Sequence, residues 1–140
     1  MFVDASAIVA ILKGEPEAGG FLAALDAAEG KVLCSPVARF EAVISLAVSM
    51  ARARGEAMSA GDHAAAEELV EELLRETGAR EIPVTEGIGH EARAAAATYG
   101  KIAGHPAALN MGDCFAYACA KAHHVRLLYK GDDFARTDLA

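Results

Sequence analysis

Acidic side chains stand at four places along the chain where they could act together on one substrate. Asp4 follows a short apolar run, Glu41 lies in the first turns of a predicted helix, and Asp113 begins another. Asp132 and Asp133 follow the last predicted strand. If these sites meet, their mutual repulsion requires a cation, and hard carboxylate oxygens select Mg²⁺ or Mn²⁺. One or two such ions can activate water, hold a phosphate and stabilise the leaving oxygen in phosphodiester hydrolysis.

Most of these residues also have an ordinary structural explanation. Asp4 can cap the helix that follows it, which stabilises by about 1 kcal/mol. Asn110 and Asp113 can form a variant of the capping box, and the aspartate pair after Gly131 suits a turn. Ser6 can orient a carboxylate or a metal-bound water, or it can serve only as a hydroxyl at the helix start. Local patterns alone therefore leave both readings open.

Glu41 is harder to explain as a purely structural residue. It shares a predicted helical face with the apolar residues Ile44 and Val48, so its carboxylate lies on the core side. A buried carboxylate without a partner costs several kcal/mol, so a metal ion or a salt bridge must compensate it. The basic residues considered for that salt bridge are Arg39, Lys130 and Arg136.

The elements that must position these acids alternate along the chain. Short β-prone runs predict strands at 1–3, 31–34, 80–84 and 125–129. Helices are predicted from Asp4 onward and at 16–29, 36–54, 59–77, 85–99 and 112–123. Strands separated by helices predict an α/β fold in which a parallel sheet of about four strands is covered on both faces. Ligands of such sheets bind beyond the carboxyl ends of the strands, which is where the acids fall.

Two of the predicted helices, 36–54 and 59–77, fall between the second and third strands. We expect them to form an antiparallel pair that protrudes from the sheet and is available to a partner. The stretch 100–109, which has two glycines and a proline, predicts a loop that leads into the last long helix.

Length and composition favour one globular domain over residues 1–140, with 54% hydrophobic and 24% charged residues. Uncharged runs such as 5–12 and 42–51 are well short of the roughly 20 residues that span a bilayer, and no signal-peptide pattern is present. We therefore expect a cytoplasmic protein without membrane association. The three cysteines lack metal or redox spacing and are expected to be buried thiols: Cys34, Cys114 and Cys119.

The net charge of -7 is unusual for a protein that binds nucleic acid, because binding to phosphates normally depends on a basic surface. The objection weakens if several of the 20 acidic residues converge on bound cations, since metal ions reverse the local sign of the field. Net charge alone therefore does not exclude an RNA substrate.

Along its whole length the chain resembles the VapC group of PIN-domain toxins. Residues 1–10, Met-Phe-Val-Asp-Ala-Ser-Ala-Ile-Val-Ala, are similar to the family's opening strand, 39–41 to the segment with its second acid, and 105–117 to the segment with its third. At the fourth site many relatives have Ser or Thr, any residue, then Asp, whereas here the acids come after Lys-Gly. Asp132 is the preferred fourth acid and Asp133 the alternative.

The resemblance implies a three-layer PIN-like fold, Mg²⁺-dependent endoribonuclease activity and homodimerisation. It also implies inhibition by a cognate VapB-type antitoxin whose C-terminal tail covers the active site. The metal-binding and catalytic residues that it implies are Asp4, Glu41, Asp113 and Asp132, with Ser6, Asn110 and Asp133 in support. A basic rim that contacts RNA is expected from Arg39, Lys130 and Arg136.

Two other functions compete with this one. A PIN-like scaffold could bind its antitoxin without cutting RNA, although every acid of the core set is present. A metal-dependent phosphatase of the haloacid-dehalogenase kind needs a second aspartate two residues after the first, and Ser6 occupies that position. We therefore expect the nuclease.

Overall fold

A computed structural model describes residues 1–139, which form four strands and six helices. The strands are β1 (Phe2–Val3), β2 (Leu33–Cys34), β3 (Arg80–Glu81) and β4 (Leu127–Leu128). The helices are α1 (Ala5–Leu12), α2 (Ala18–Asp26), α3 (Pro36–Ala53), α4 (Ala60–Glu76), α5 (Glu86–Tyr99) and α6 (Met111–Ala122). Two 3₁₀ turns, Lys101–Ala103 and Phe134–Arg136, complete the described elements.

The four strands form one parallel sheet in the order β3-β2-β1-β4. Phe2 of β1 is in register with Leu33 on one side and with Leu127 on the other, so the first strand is central. The predicted α/β class and the parallel sheet of about four strands are confirmed. Each strand is shorter than predicted, because two residues of each enter the ladder.

Polar residues at the helix starts explain where most of the helices begin. Ser35 accepts a hydrogen bond from the N–H of Ala38 and precedes a proline in the first turn of α3. Ser59 and Asp62 form a reciprocal capping box on α4. Thr85 caps α5 with its hydroxyl, as Ser35 caps α3. These caps satisfy N–H groups that have no partner within the helix.

The core lies between the sheet and the helices and contains many small side chains. Phe2, Ile8, Val32 and Ile82 are among its fully buried members. Alanines on α5 and α6 let these two helices pack closely, which fixes α6 behind β1 and β4. The three cysteines are buried and free, as predicted. Within residues 1–139, no helix is both long and apolar enough to cross a membrane.

The predicted helical pair is present as α3 and α4, but most of it belongs to the core. Both helices pack on α1, and Leu46 of α3 and Val70 of α4 are buried. Residues 52–61 at the tip are exposed. A 2.6 Å ion pair between Arg54 and the capping residue Asp62 orders this tip. The part that protrudes is therefore a short tip and not a whole arm.

Candidate active site

A cavity of about 400 Å³ opens beyond the carboxyl ends of β1 and β4. Side chains of α1, α3 and α6 converge on it together with residues from the connections that follow α1 and β4. Its polar lining consists of Asp4, Ser6, Glu15, Glu41, Ser45, Asn110, Asp113 and Lys130. The position agrees with the rule that ligands of parallel sheets bind at this edge.

Asp4 both caps α1 and faces the cavity, so the two explanations considered for it are compatible. Its carboxylate is buried and accepts hydrogen bonds from the N–H of Ser6, at 2.9 Å, and from the Ser6 hydroxyl. The same hydroxyl accepts a 3.0 Å bond from the N–H of Lys130. Burial raises the pKa of Asp4, while the bonds from Ser6 oppose that shift. Ser6 therefore joins the end of β1 to the end of β4.

Glu41 extends from α3 toward the first turn of α6. Its carboxylate lies against the Cα of Gly112 so closely that a Cβ at that position would overlap it. Burial, together with the charges of Asp4 and Asp113, raises the pKa of Glu41 to about 7. Glycine at position 112 therefore provides the space that this carboxylate occupies.

Asp113 likewise has two roles. It accepts a 2.8 Å hydrogen bond from the N–H of Asn110, and the Asn110 side chain accepts a 3.0 Å bond from the N–H of Asp113, which completes a capping box. Burial raises the pKa of Asp113 to about 6, opposed by the Asn110 N–H and aided by the charges of Asp4 and Asp133. The capping box thus fixes a carboxylate that also lines the cavity.

The salt bridge considered for Glu41 is absent. Arg39 pairs instead with Glu81 at 2.9 Å and with Glu71 at 3.4 Å. In the part of the chain that the structure describes, no ion pair includes Asp4, Glu41 or Asp113. Within residues 1–139, these three carboxylates therefore repel one another with no ion pair to compensate them.

The expected basic rim is only partly in place. Lys130 lines the cavity, with its ammonium 2.6 Å from Glu15. Arg136 is exposed and donates a 3.1 Å hydrogen bond to the carbonyl of Pro106. Arg39 does not line the cavity within residues 1–139, because its ion pairs hold it on another side of α3. Contact between these residues and RNA stays a prediction.

Glu15 and Ser45 line the cavity although they were not among the predicted residues. Glu15 reaches it because its carboxylate binds both Lys130 and Lys13, the latter at 2.7 Å. Ser45 follows Glu41 by four residues, so the two share one face of α3. Helical spacing could have indicated Ser45, whereas the position of Glu15 depends on a contact with a residue 115 positions away.

Both candidates for the fourth acid follow the last strand. Asp132 and Asp133 are both exposed after Gly131, whose φ of 98° suits glycine. Neither belongs to the cavity lining among the described residues. The charge of Asp133, however, raises the pKa of Asp113. The charge of Asp132 does not contribute to the raised pKa of Asp4, Glu41 or Asp113. Of the two, Asp133 is therefore the acid whose charge acts on a carboxylate of the cavity.

As the side chains stand, no three His, Cys, Asp or Glu residues within 1–139 are close enough together to hold a metal ion. The donor set nevertheless fits Mg²⁺, which commonly keeps several waters and uses one or two carboxylates plus substrate phosphates. Asp4, Glu41 and Asp113 supply such oxygens on one cavity, and each of the three pKa values is raised by burial. A divalent cation would favour their ionised forms.

The raised pKa values predict that the metal-free protein loses stability as the pH rises. The folded protein retains protons on Glu41 and Asp113 up to about pH 7 and 6, where the unfolded chain has released them. This contribution is complete below about pH 4 and is lost as the pH rises through about 7. In EDTA we expect the melting temperature to fall between pH 5 and 8, and to fall less in Glu41→Gln. Equal slopes in the two proteins would contradict the prediction.

Comparison with known proteins agrees with this fold. The PIN domain family matches residues 1–139. The chain therefore belongs to the PIN-domain family. It is 46% identical to a VapC ribonuclease of Rhizobium meliloti over 139 residues, which cover 99% of this chain and 98% of that protein.

Two proteins of Mycobacterium tuberculosis extend the comparison to the VapC group. Ribonuclease VapC28 is 37% identical over 98% of this chain and 93% of its own length. Ribonuclease VapC30 is 36% identical over 100% of this chain and 96% of its own length. These matches confirm the resemblance that the acidic motifs predict.

Proposed function

We propose that this protein is a Mg²⁺-dependent endoribonuclease and the toxin of a VapBC-type toxin–antitoxin pair. The observation that carries the proposal is the convergence of Asp4, Glu41 and Asp113 on one cavity without a basic partner among the described residues. The names of the relatives support RNA as the substrate, since they are VapC ribonucleases. The position of the cavity at the carboxyl edge of the sheet supports catalysis there.

In this proposal Asp4, Glu41 and Asp113 hold Mg²⁺, or Mn²⁺ as a substitute, and Asp133 replaces Asp132 as the fourth acid. When bound, the ion supplies the activation of water and the neutralisation of charge on the phosphate. Ser6 orients the Asp4 carboxylate through the two hydrogen bonds that it donates. The carboxylates would act as ligands of the ion and water would supply the attacking oxygen, so no side chain needs to form a covalent bond to RNA.

Two further residues have defined roles in this mechanism. Asn110 holds the Asp113 carboxylate through its backbone N–H, which leaves the remaining carboxylate oxygen available to an ion. Lys130 stands at the cavity beside Glu15, where its ammonium can meet a phosphate of the bound strand. Lys130 thereby places a positive charge in a cavity that also contains acidic side chains.

The decisive experiment is cleavage of a mixed RNA pool by purified protein without antitoxin, in Mg²⁺ or in EDTA. We expect cuts in Mg²⁺, their loss in EDTA and their return when Mn²⁺ is added. Cleavage that persists in EDTA would contradict the metal mechanism. A protein that binds antitoxin but cuts no RNA in the pool would instead support the scaffold function.

We also propose that the protein forms a homodimer through an apolar face of α5 and α6. Ile102 and Met111 are 90% and 69% exposed there, beside a cavity of about 390 Å³ whose walls are almost wholly apolar. In a dimer with two-fold symmetry, both subunits use the same face at the interface. Each Ile102 can therefore enter the cavity of the other subunit. The cognate antitoxin is the second protein partner that we propose.

We expect Ile102→Asp to convert the dimer to a monomer, because an aspartate cannot be buried in an apolar cavity without a large penalty. Light scattering during gel filtration would measure the mass. Met58→Asp is the control, since Met58 is also exposed, at 44%, but lies on the tip between α3 and α4. A wild-type protein of monomeric mass, or a dimeric Ile102→Asp protein, would contradict this interface.

A further inference from the structure

The segment 131–139 is fastened to the helix that carries Asp113. The Asp138 carboxylate accepts a 2.7 Å hydrogen bond from the Tyr117 hydroxyl and lies 3.0 Å from the Lys121 ammonium. Lys121 also donates a 2.7 Å bond to the Tyr117 hydroxyl. We call Tyr117, Lys121 and Asp138 the latch. Asp113, Tyr117 and Lys121 are spaced by four residues, so they follow one stripe along α6.

Contacts nearer to Asp133 hold the first part of the same segment. Phe134 is 2% exposed, and its ring meets that of Tyr129 edge-on with centroids 4.9 Å apart. Arg136 binds the carbonyl of Pro106, in the loop that leads into α6. Asp133 therefore precedes a buried anchor, and the latch fixes the segment again five residues later.

The exposed ion pair of the latch contributes little to the stability of the whole protein. The side chains of Lys121 and Asp138 are 39% and 50% exposed, and ion pairs with that exposure contribute about 0 to 1 kcal/mol. Tyr117, by contrast, is 2% exposed, so its hydroxyl needs a partner inside the protein. The partner it has is a carboxylate on the segment that carries Asp133. The contact therefore ties the segment that carries Asp133 to α6.

We infer that the latch sets the position of Asp133 relative to Asp113, so that Tyr117, Lys121 and Asp138 are positioning residues of the active site. They touch neither the substrate nor the ion and act through the placement of the 131–139 segment on α6. The inference rests on the proposed function, because it assigns Asp133 to the metal site. Groups that orient metal ligands typically change metal affinity by 10–100-fold when they are removed.

The test measures binding of Mn²⁺ by the electron paramagnetic resonance signal of the free ion. We expect Asp138→Ala and Tyr117→Phe, each of which removes the hydrogen bond between Tyr117 and Asp138, to bind Mn²⁺ about tenfold more weakly than wild type. Glu91→Gln is the matched control, because Glu91 lies 3.6 Å from the same Lys121 ammonium but belongs to α5. It should bind Mn²⁺ as the wild type does. Melting temperatures show whether each variant is folded.

A double-mutant cycle then separates positioning from a general effect. If the latch acts through Asp133, adding Asp138→Ala to Asp133→Asn should weaken Mn²⁺ binding no further than Asp133→Asn alone. Additive losses, or wild-type affinity in both latch variants, would overturn the inference while leaving the metal site intact. A wild-type protein that binds no Mn²⁺ would overturn the proposed function itself, and the latch inference with it.

Discussion

Asp113→Asn is expected to reduce Mg²⁺-dependent RNA cleavage by at least about 100-fold, since loss of groups that merely orient metal ligands already costs 10–100-fold. The amide keeps the size of the side chain and can still accept the hydrogen bond from the N–H of Asn110, so α6 should remain capped. What it removes is the negative charge that a divalent cation requires. Initial rates on an RNA pool at saturating Mg²⁺ would measure the loss.

Asp62→Asn provides the control for this variant. Asp62 occupies the same capping-box position on α4 that Asp113 occupies on α6, but it pairs with Arg54 at the tip and not with the cavity. We expect it to lose up to about 1 kcal/mol of stability, as weakened caps do, and to retain cleavage. Equal losses of activity in the two variants would show that Asp113 matters only as a cap.

Gly112→Ala is expected to be the most damaging conservative change at the site. The added Cβ would overlap the Glu41 carboxylate, which is the end of a flexible side chain and can therefore swing out of the cavity. The fold should survive, because alanine is a better helix former than glycine by about 1 kcal/mol. Cleavage should fall by about 100-fold, an effect like that of losing a group that orients the metal.

The matched control is Gly89→Ala on α5. Its Cβ would meet no atom closer than 3.7 Å, so it gains the helical propensity without a clash. The melting temperature of both variants and the rate of RNA cleavage would be measured side by side. Wild-type activity in Gly112→Ala would mean that Glu41 does not need its observed position.

The order of elements could be predicted because its signals are local. Apolar runs indicate the strands, and the capping pair Ser59 and Asp62 marks the start of α4. The lateral order of strands could not be predicted, since the placement of β1 between β2 and β4 depends on packing of the whole chain. The extent of the helical pair was missed for the same reason: apolar residues on both helices find partners on α1, which local patterns do not specify.

The acids of the site could be predicted from their positions after strands and at helix starts, but their partners could not. Arg39 lies two residues before Glu41, and residues two apart on a helix do not share a face. That spacing is a signal against the salt bridge between them. The choice between Asp132 and Asp133 depends on which charge acts on Asp113 in the folded chain, which the sequence does not reveal.

The central position of β1 has a consequence for how the protein is made. One edge of this first strand pairs with β4, which begins at Leu127. The sheet is therefore incomplete until nearly the whole described chain has been synthesised. Asp113 and the segment that carries Asp133 also emerge late. Pairings between residues so distant along the chain form slowly. A growing chain that has not yet reached β4 therefore carries no assembled active site.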